Sequence, residues 1–307
     1  MRVKDLVLHE GMSAHELLEM MNEMGGFMGV HLATAYKMFV EMLRDDGCLR
    51  ILSLTGNLIS TGLRGIIADI ARRRLFHLII TTCGALDHDL ARSRADYEGG
   101  SFDSDDYELA EKGVHRLGNV WIRSPSYGGV IESEIRKLAE ELSGSISTYE
   151  LSWRLGERIS SDSSFLTWCW RNRIPVVVPG IVDGAVGYHL WLNGLGKNFH
   201  LDLMKDETLL NELMWTHKRK AGLVLGGGIS KHHLLWWSQF GGEGLDYAIY
   251  ISTGDEYDGS LSGARPREAI TWHKVSTRAK HVFVKADATI ALPIMYLATI
   301  QAQAKNP

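Results

Sequence analysis

Apolar residues recur at two spacings along the chain, and the change from one to the other divides it. The opening spacing is helical. Ser13-Ala14-His15-Glu16 has capping-box spacing, in which hydroxyl and carboxylate each satisfy a free backbone N–H, and Leu17, Leu18, Met20, Met21 and Met24 follow as one stripe. Gly25-Gly26 ends that helix, and a second is predicted over 31–44. Eight of the eleven methionines fall within the first 42 residues, which suits adaptable packing in the core or between subunits.

From residue 49 short apolar runs end in Thr, Gly or Asp, and a helix-like segment follows each. The runs are 49–54 before Thr55-Gly56-Asn57, 76–80 before Thr81-Thr82-Cys83-Gly84, and 175–178 before Pro179-Gly180-Ile181-Val182-Asp183-Gly184. Further runs are 222–225 before Gly226-Gly227-Gly228, 247–251 before Ser252-Thr253-Gly254, and 281–284 before Lys285-Ala286-Asp287. Continuous apolar strands separated by helices predict a parallel sheet covered on both faces, with ligands beyond the carboxyl ends of its strands. Residues 91–109, with Gly99-Gly100-Ser101 and Asp103-Ser104-Asp105-Asp106, break the pattern and read as a surface excursion. Amphipathic helices resume over 136–142 and 149–158. No Pro/Ser-rich linker and no internal repeat beyond the alternation itself appears, so the expected organisation is a helical extension over 1–45 and a single α/β domain over 46–307.

Composition narrows the class. With 307 residues, 45% apolar and 23% charged, the chain can bury a sizeable core. Its formal charge of −4 gives no overall footprint for nucleic acid or an anionic membrane. No apolar run approaches the roughly 18 residues that span a bilayer, and Met1-Arg2-Val3-Lys4-Asp5 leads into no signal-peptide stretch, so a cytoplasmic protein is expected. Cys48, Cys83 and Cys169 have no metal-ligand spacing and read as core thiols. No metal is expected.

The strand ends carry the candidate chemistry. Gly226-Gly227-Gly228 opens a helix over 229–239, where backbone amides could hold a pyrophosphate or merely form a tight turn; the spacing is not GxGxxG. Lys231-His232-His233 adds a cation and two imidazoles, of which only one can face a site, because neighbours diverge on a helix. Asp183, Asp258 and Asp287 each follow a strand, either as turn formers or as partners for ribose hydroxyls. Residues 253–274 form the densest segment, with Thr253, Asp255, Glu256, Asp258, Ser262, Glu268, Trp272 and Lys274 in one post-strand stretch. Carboxylates pair with ammonium groups and Trp272 offers a π face to a cation. An apolar wall beside Lys274 would favour the free amine that imine chemistry needs, although most lysines are simply solvated.

These pieces together resemble the deoxyhypusine synthases from about residue 26 to 299. The resemblance is carried by Thr55-Gly56-Asn57-Leu58-Ile59-Ser60-Thr61-Gly62, Thr81-Thr82-Cys83-Gly84, Gly113-Val114-His115-Arg116-Leu117-Gly118-Asn119 and Gly226-Gly227-Gly228-Ile229-Ser230-Lys231-His232-His233. Asp258-Gly259-Ser260, Ser262-Gly263-Ala264-Arg265-Pro266, Glu268-Ala269-Ile270-Thr271-Trp272-His273-Lys274 and Ala286-Asp287-Ala288 complete it. The resemblance implies a Rossmann-like doubly wound α/β fold and NAD-dependent transfer of spermidine's aminobutyl group to a lysine of the hypusine-containing translation factor. It also implies a homotetramer.

By resemblance Lys274 captures the imine and His232 handles protons, while Glu268 and Trp272, with His232, hold the amine. Asn57, Ser60, Thr82, Gly84, Asp183, Gly228, Thr253, Asp258, Ser262 and Asp287 would contact NAD. The chain departs from the eukaryotic pattern at His88, Tyr188 and Leu261, which stand in place of acidic residues, and at Trp236, in place of a small polar one. A related aminobutyl transferase with another amine donor or acceptor, such as a homospermidine synthase, and a non-catalytic NAD-binding paralogue are the alternatives.

Overall fold

The computed structural model describes residues 2–305; Met1 of the opening pentapeptide and residues 306–307 of the expected α/β domain lie outside them. Two compact units divide the chain, one running up to Leu54 and resuming at Leu210, the other Thr55–Leu209.

In the first unit Ser13 forms the predicted capping box, its Oγ accepting the Glu16 N–H while the Glu16 carboxylate accepts the Ser13 N–H at 2.8 Å. The helix Ala14–Glu23 ends at Gly25, whose φ of +77° a side chain would resist. The next helix, Phe27–Leu43, starts four residues before the predicted one, with extended Gly26 as its N-cap. Both pack with the final helix Ala288–Lys305, and Leu32, Phe39, Met38 and Met42 are buried.

Four strands of this unit are parallel, in the order Val275–Lys285, Leu245–Ser252, Arg219–Leu225, Cys48–Leu54. Helices cover both faces. Tyr247 donates its hydroxyl hydrogen to Glu41 of the helix Phe27–Leu43 at 3.2 Å, whereas the Tyr250 ring lies 4.5 Å from Lys231 Nζ on the helix Gly228–Ser238. Residues three apart on a strand point to opposite sides, so these helices lie on opposite faces. The strand Val275–Lys285 begins six residues before the predicted run because Thr277, Arg278 and Lys280 are exposed, as suits a sheet edge.

In the second unit Leu78–Ile80 pairs in parallel with Val176–Val177 among helices that include Leu63–Arg72, Cys83–Arg92, Val130–Glu141, Thr148–Ile159, Phe165–Asn172 and Ala185–Gly194. A buried ion pair joins Arg64 Nε to Asp89 Oδ1 at 2.5 Å. Asp89 Oδ2 also accepts from Ser164 Oγ and the Leu166 N–H, so this buried carboxylate is well satisfied. The stretch 91–109 expected as a surface excursion has a definite structure: Asp105 caps the helix Asp106–Glu111, and Glu98–Gly99 joins the strands Val114–Leu117 and Val120–Arg123, which follow that stretch, in a small antiparallel sheet.

The protein thus has the expected α/β fold with a mostly parallel sheet. Its three cysteines are buried and free, and burial pushes the Cys48 thiol up to about 12. Among the described residues no helix is long and apolar enough to cross a membrane.

Candidate active site

The strand Arg219–Leu225 runs into Gly226 and Gly228, both left-handed at φ +87° and +69°, and the helix Gly228–Ser238 begins there without a side-chain cap. A Cβ on Gly227 would fall 2.2 Å from Ser262 Oγ, so this position must be glycine for the loop bearing Ser262 to close on it. A Cβ on Gly228 would meet nothing within 4 Å, and the uncapped helix start beside that space suits a pyrophosphate. Thr253, Asp258 and Asp287 are exposed. Asp258 accepts the Ser260 N–H at 2.6 Å and Asp287 the Thr289 N–H at 2.8 Å, so both carboxylates do form turns or caps, the less demanding of the two readings.

Buried Lys231 fastens the same loop. Its Nζ donates to the carbonyls of Leu261 and Ala264, each at 2.6 Å, and burial pushes its pKa down to about 8 despite the opposing charge of Glu268. His232 is exposed on the same helix, while burial drives half-buried His233 down to about 4. Of the adjacent imidazoles, His232 is the one turned to solvent.

Lys274 lies elsewhere in the unit. It directly precedes the strand Val275–Lys285, and its carbonyl accepts from the Leu245 N–H at 3.0 Å and from Ser238 Oγ at 2.7 Å, while its N–H donates to the Ala269 carbonyl at 3.0 Å. Residues 253–274 therefore return from the end of the strand Leu245–Ser252 to its start, a distance of roughly 23 Å at ~3.3 Å per residue. Exposed Glu268 and Trp272 lie on the 3₁₀ helix Pro266–Trp272 in this return. Half-buried Lys274 places Nζ 5.4 Å from the Trp272 ring and 5.8 Å from that of Trp236. The helix Gly228–Ser238 links the two ends. Gly228, His232 and Trp236, spaced by four, form its exposed stripe, which runs about 12 Å from the glycine turn towards Lys274.

In the other unit, a Cβ on Gly56 would lie 2.6 Å from the Ala85 N and 2.7 Å from the Gly84 carbonyl carbon, and the Gly56 N–H donates to Thr82 Oγ1 at 3.1 Å. Buried Ser60 donates to the Asn57 carbonyl at 2.7 Å, leaving Asn57 exposed. These interactions bring Asn57, Ser60, Thr82 and Gly84 together around two touching turns. Asp183 is exposed just before Gly184. Buried His88 bonds through Nδ1 to the Tyr97 hydroxyl at 3.0 Å, and burial lowers its pKa to about 4, so it is neutral at pH 7.

Sequence reasoning passed over Asp87. Its carboxylate accepts from Ala185 N–H, Val186 N–H and the Tyr127 hydroxyl at 2.8–3.0 Å, holding the start of the helix Ala185–Gly194, while burial raises its pKa. Gly244 was also passed over. It has φ +92°, and a Cβ there would lie 2.7 Å from the Lys274 carbonyl carbon.

The sequence pattern of the family described as "DS: Deoxyhypusine synthase" matches residues 16–299. A "probable deoxyhypusine synthase" of Pyrobaculum calidifontis is 52% identical over 289 residues, 91% of this chain and 97% of that protein. One from Ignicoccus hospitalis is 46% identical over 301 residues, covering 96% and 94%. Among solved structures, one from Entamoeba histolytica assigned to deoxyhypusine synthase superposes with a TM-score of 0.63 over 97% of both chains at 19% identity, a likeness of fold.

Proposed function

The chain belongs to the deoxyhypusine synthase family, a family of transferases, and from that premise we propose that it moves the 4-aminobutyl group of spermidine to a lysine of the hypusine-containing translation factor with NAD as cofactor. The observation that carries this reading is Lys274, with its backbone held by three hydrogen bonds and its amine beside the indole of Trp272. NAD, when bound, supplies the acceptor and later the donor of a hydride. Loss of hydride from the carbon next to spermidine's secondary amine leaves an imine. Lys274 adds to that carbon; its new C–N bond forms as the donor's C–N bond breaks, and the leaving amine departs with a proton. The acceptor lysine repeats the exchange, which frees Lys274, and the imine carbon it then carries would take back the hydride to give the saturated aminobutyl amine.

His232, exposed one helical turn from Trp236, is the residue assigned to hold and move the proton. Glu268 is assigned to an ammonium end of the donor. In the unit of Lys274 the cofactor contacts are Gly228, Thr253, Asp258, Ser262 and Asp287; in the unit Thr55–Leu209 they are Asn57, Ser60, Thr82, Gly84 and Asp183. The uncapped helix start at Gly228 supports the first set. A cytoplasmic homotetramer completes the proposal.

A second reading, transfer with another amine donor or acceptor, is favoured by His88, which is neutral at pH 7 and so offers no charge to a polyamine. Labelled spermidine, offered separately with the translation-factor precursor and with putrescine, separates the readings. Transfer to the precursor supports the first, transfer to putrescine a homospermidine synthase, and transfer to neither the non-catalytic alternative. Lys274→Arg should abolish transfer and the borohydride-trapped lysine adduct while NAD binding persists. Transfer by that variant at the parent rate would sink the assignment.

A further inference from the structure

The indole of Trp236 has no part in the chemistry above, yet it faces the same amine as Trp272. Lys274 Nζ lies 5.8 Å from one ring and 5.4 Å from the other, within reach of a cation–π attraction from both. The arrangement is braced. The Phe240 ring meets Trp236 edge-on at 6.1 Å, and Ser238, two residues along the same helix, holds the Lys274 carbonyl at 2.7 Å. Helix, indole and lysine therefore keep a fixed register. Both indoles remain substantially exposed, Trp236 at 46% and Trp272 at 64%, so each still has surface to offer a ligand.

We propose that Trp236 is a specificity-determining residue of the amine-donor site, forming with Trp272 a two-indole clamp that recognises the cationic nitrogen and methylene chain of a linear aliphatic amine. The proposal rests on Lys274 being the group that captures the donor. Before capture the cation is the donor's own protonated imine; afterwards, with the donor's C–N bond broken and its leaving amine gone, a protonated imine on Lys274 carries the same charge at the same place. Two π faces suit both forms, and they also cover the apolar carbons that follow.

The test compares Trp236→Leu, which keeps apolar bulk without a π face, with Trp236→Phe, which keeps an aromatic one. At subsaturating spermidine with NAD, borohydride-trapped adduct on Lys274 should fall roughly three- to tenfold in Trp236→Leu, mainly through a higher KM for the amine, and at least half should survive in Trp236→Phe. NAD affinity by calorimetry and the melting temperature should match the parent in both, which a purely structural role would not allow. Parent-like trapping by Trp236→Leu, or equal losses in the Leu and Phe variants, would overturn the clamp. Absence of any adduct in the parent would instead overturn the role of Lys274.

Discussion

Two buried bases carry a cost of burial that pH can reveal residue by residue. Lys231 is 1% exposed and its pKa is pushed from 10.5 to about 8, chiefly by burial. Between those values the unfolded chain holds a proton that the folded chain has released, so raising the pH favours folding, by about 3 kcal/mol in all. The neutral amine still has hydrogens for the Leu261 and Ala264 carbonyls, so the loop stays fastened. Urea unfolding of the parent and of Lys231→Met at pH 7.5, 9 and 10.5 should give a parent stability that climbs relative to the variant; parallel curves would dismiss the argument. His88 behaves likewise at acid pH. Its pKa of about 4 lies below the ordinary 6.5, so stability falls as the pH drops from 6.5 towards 4, and His88→Gln should flatten that fall by up to about 3 kcal/mol. An unchanged acid slope in the variant would show that another group is responsible. Neither burial was legible in the sequence: Lys231 and His232 are neighbours in one motif, and only the packed helix separates a loop fastener from a solvent-facing imidazole.

Whole elements were legible where burial follows sequence and obscure where it does not. The strand Cys48–Leu54 is apolar and buried almost throughout, so its predicted bounds differ by one residue. The edge strand Val275–Lys285 hides its first half in exposed Thr277, Arg278 and Lys280, because a sheet edge does not need apolar side chains. The hairpin Val114–Leu117 to Val120–Arg123 was passed over although Gly118-Asn119 between two β-rich runs is a turn signal; the acidic segment before it suggested only a loop. Lys274 was found by motif, but its position at the start of a strand was not, since sequence order cannot tell a loop from a return path. Gly244 fixes that return. Gly244→Ala adds a Cβ that overlaps the Lys274 backbone in a left-handed turn, and should destabilise by about 1–3 kcal/mol while reducing the trapped lysine adduct. Gly65→Ala, within the helix Leu63–Arg72 and with open space at its Cβ, should instead stabilise by about 0.5–1 kcal/mol. Thermal unfolding of both variants checks the pair, and a neutral Gly244→Ala would remove the close approach from the account.

At the scale of the molecule, apolar surface argues for assembly and for where it occurs. The helix Ala185–Gly194 buries Val186, Gly187 and Leu190 but leaves Tyr188, Trp191 and Leu192 exposed, and Val182 and Leu195 on either side are exposed too. Five large apolar side chains within 14 residues exceed the scattered exposure usual on a monomer. The methionine-rich helices, by contrast, spend Met38 and Met42 on their own core and leave Met20, Met21 and Met24 half-buried, with Phe27 and Met28 as their exposed apolar residues. Both surfaces are compatible with the homotetramer proposed above, and substitution distinguishes them. Placing a carboxylate in a packed apolar contact requires its desolvation, so the affected contact should open. Light scattering of the parent at micromolar concentration should give about four times the 34.3 kDa chain mass. The double variant Trp191→Glu with Leu195→Glu should lower that mass, and Phe27→Glu should leave it nearly unchanged. A monomeric parent would refute assembly, and dissociation by Phe27→Glu alone would return the contact to the N-terminal helices.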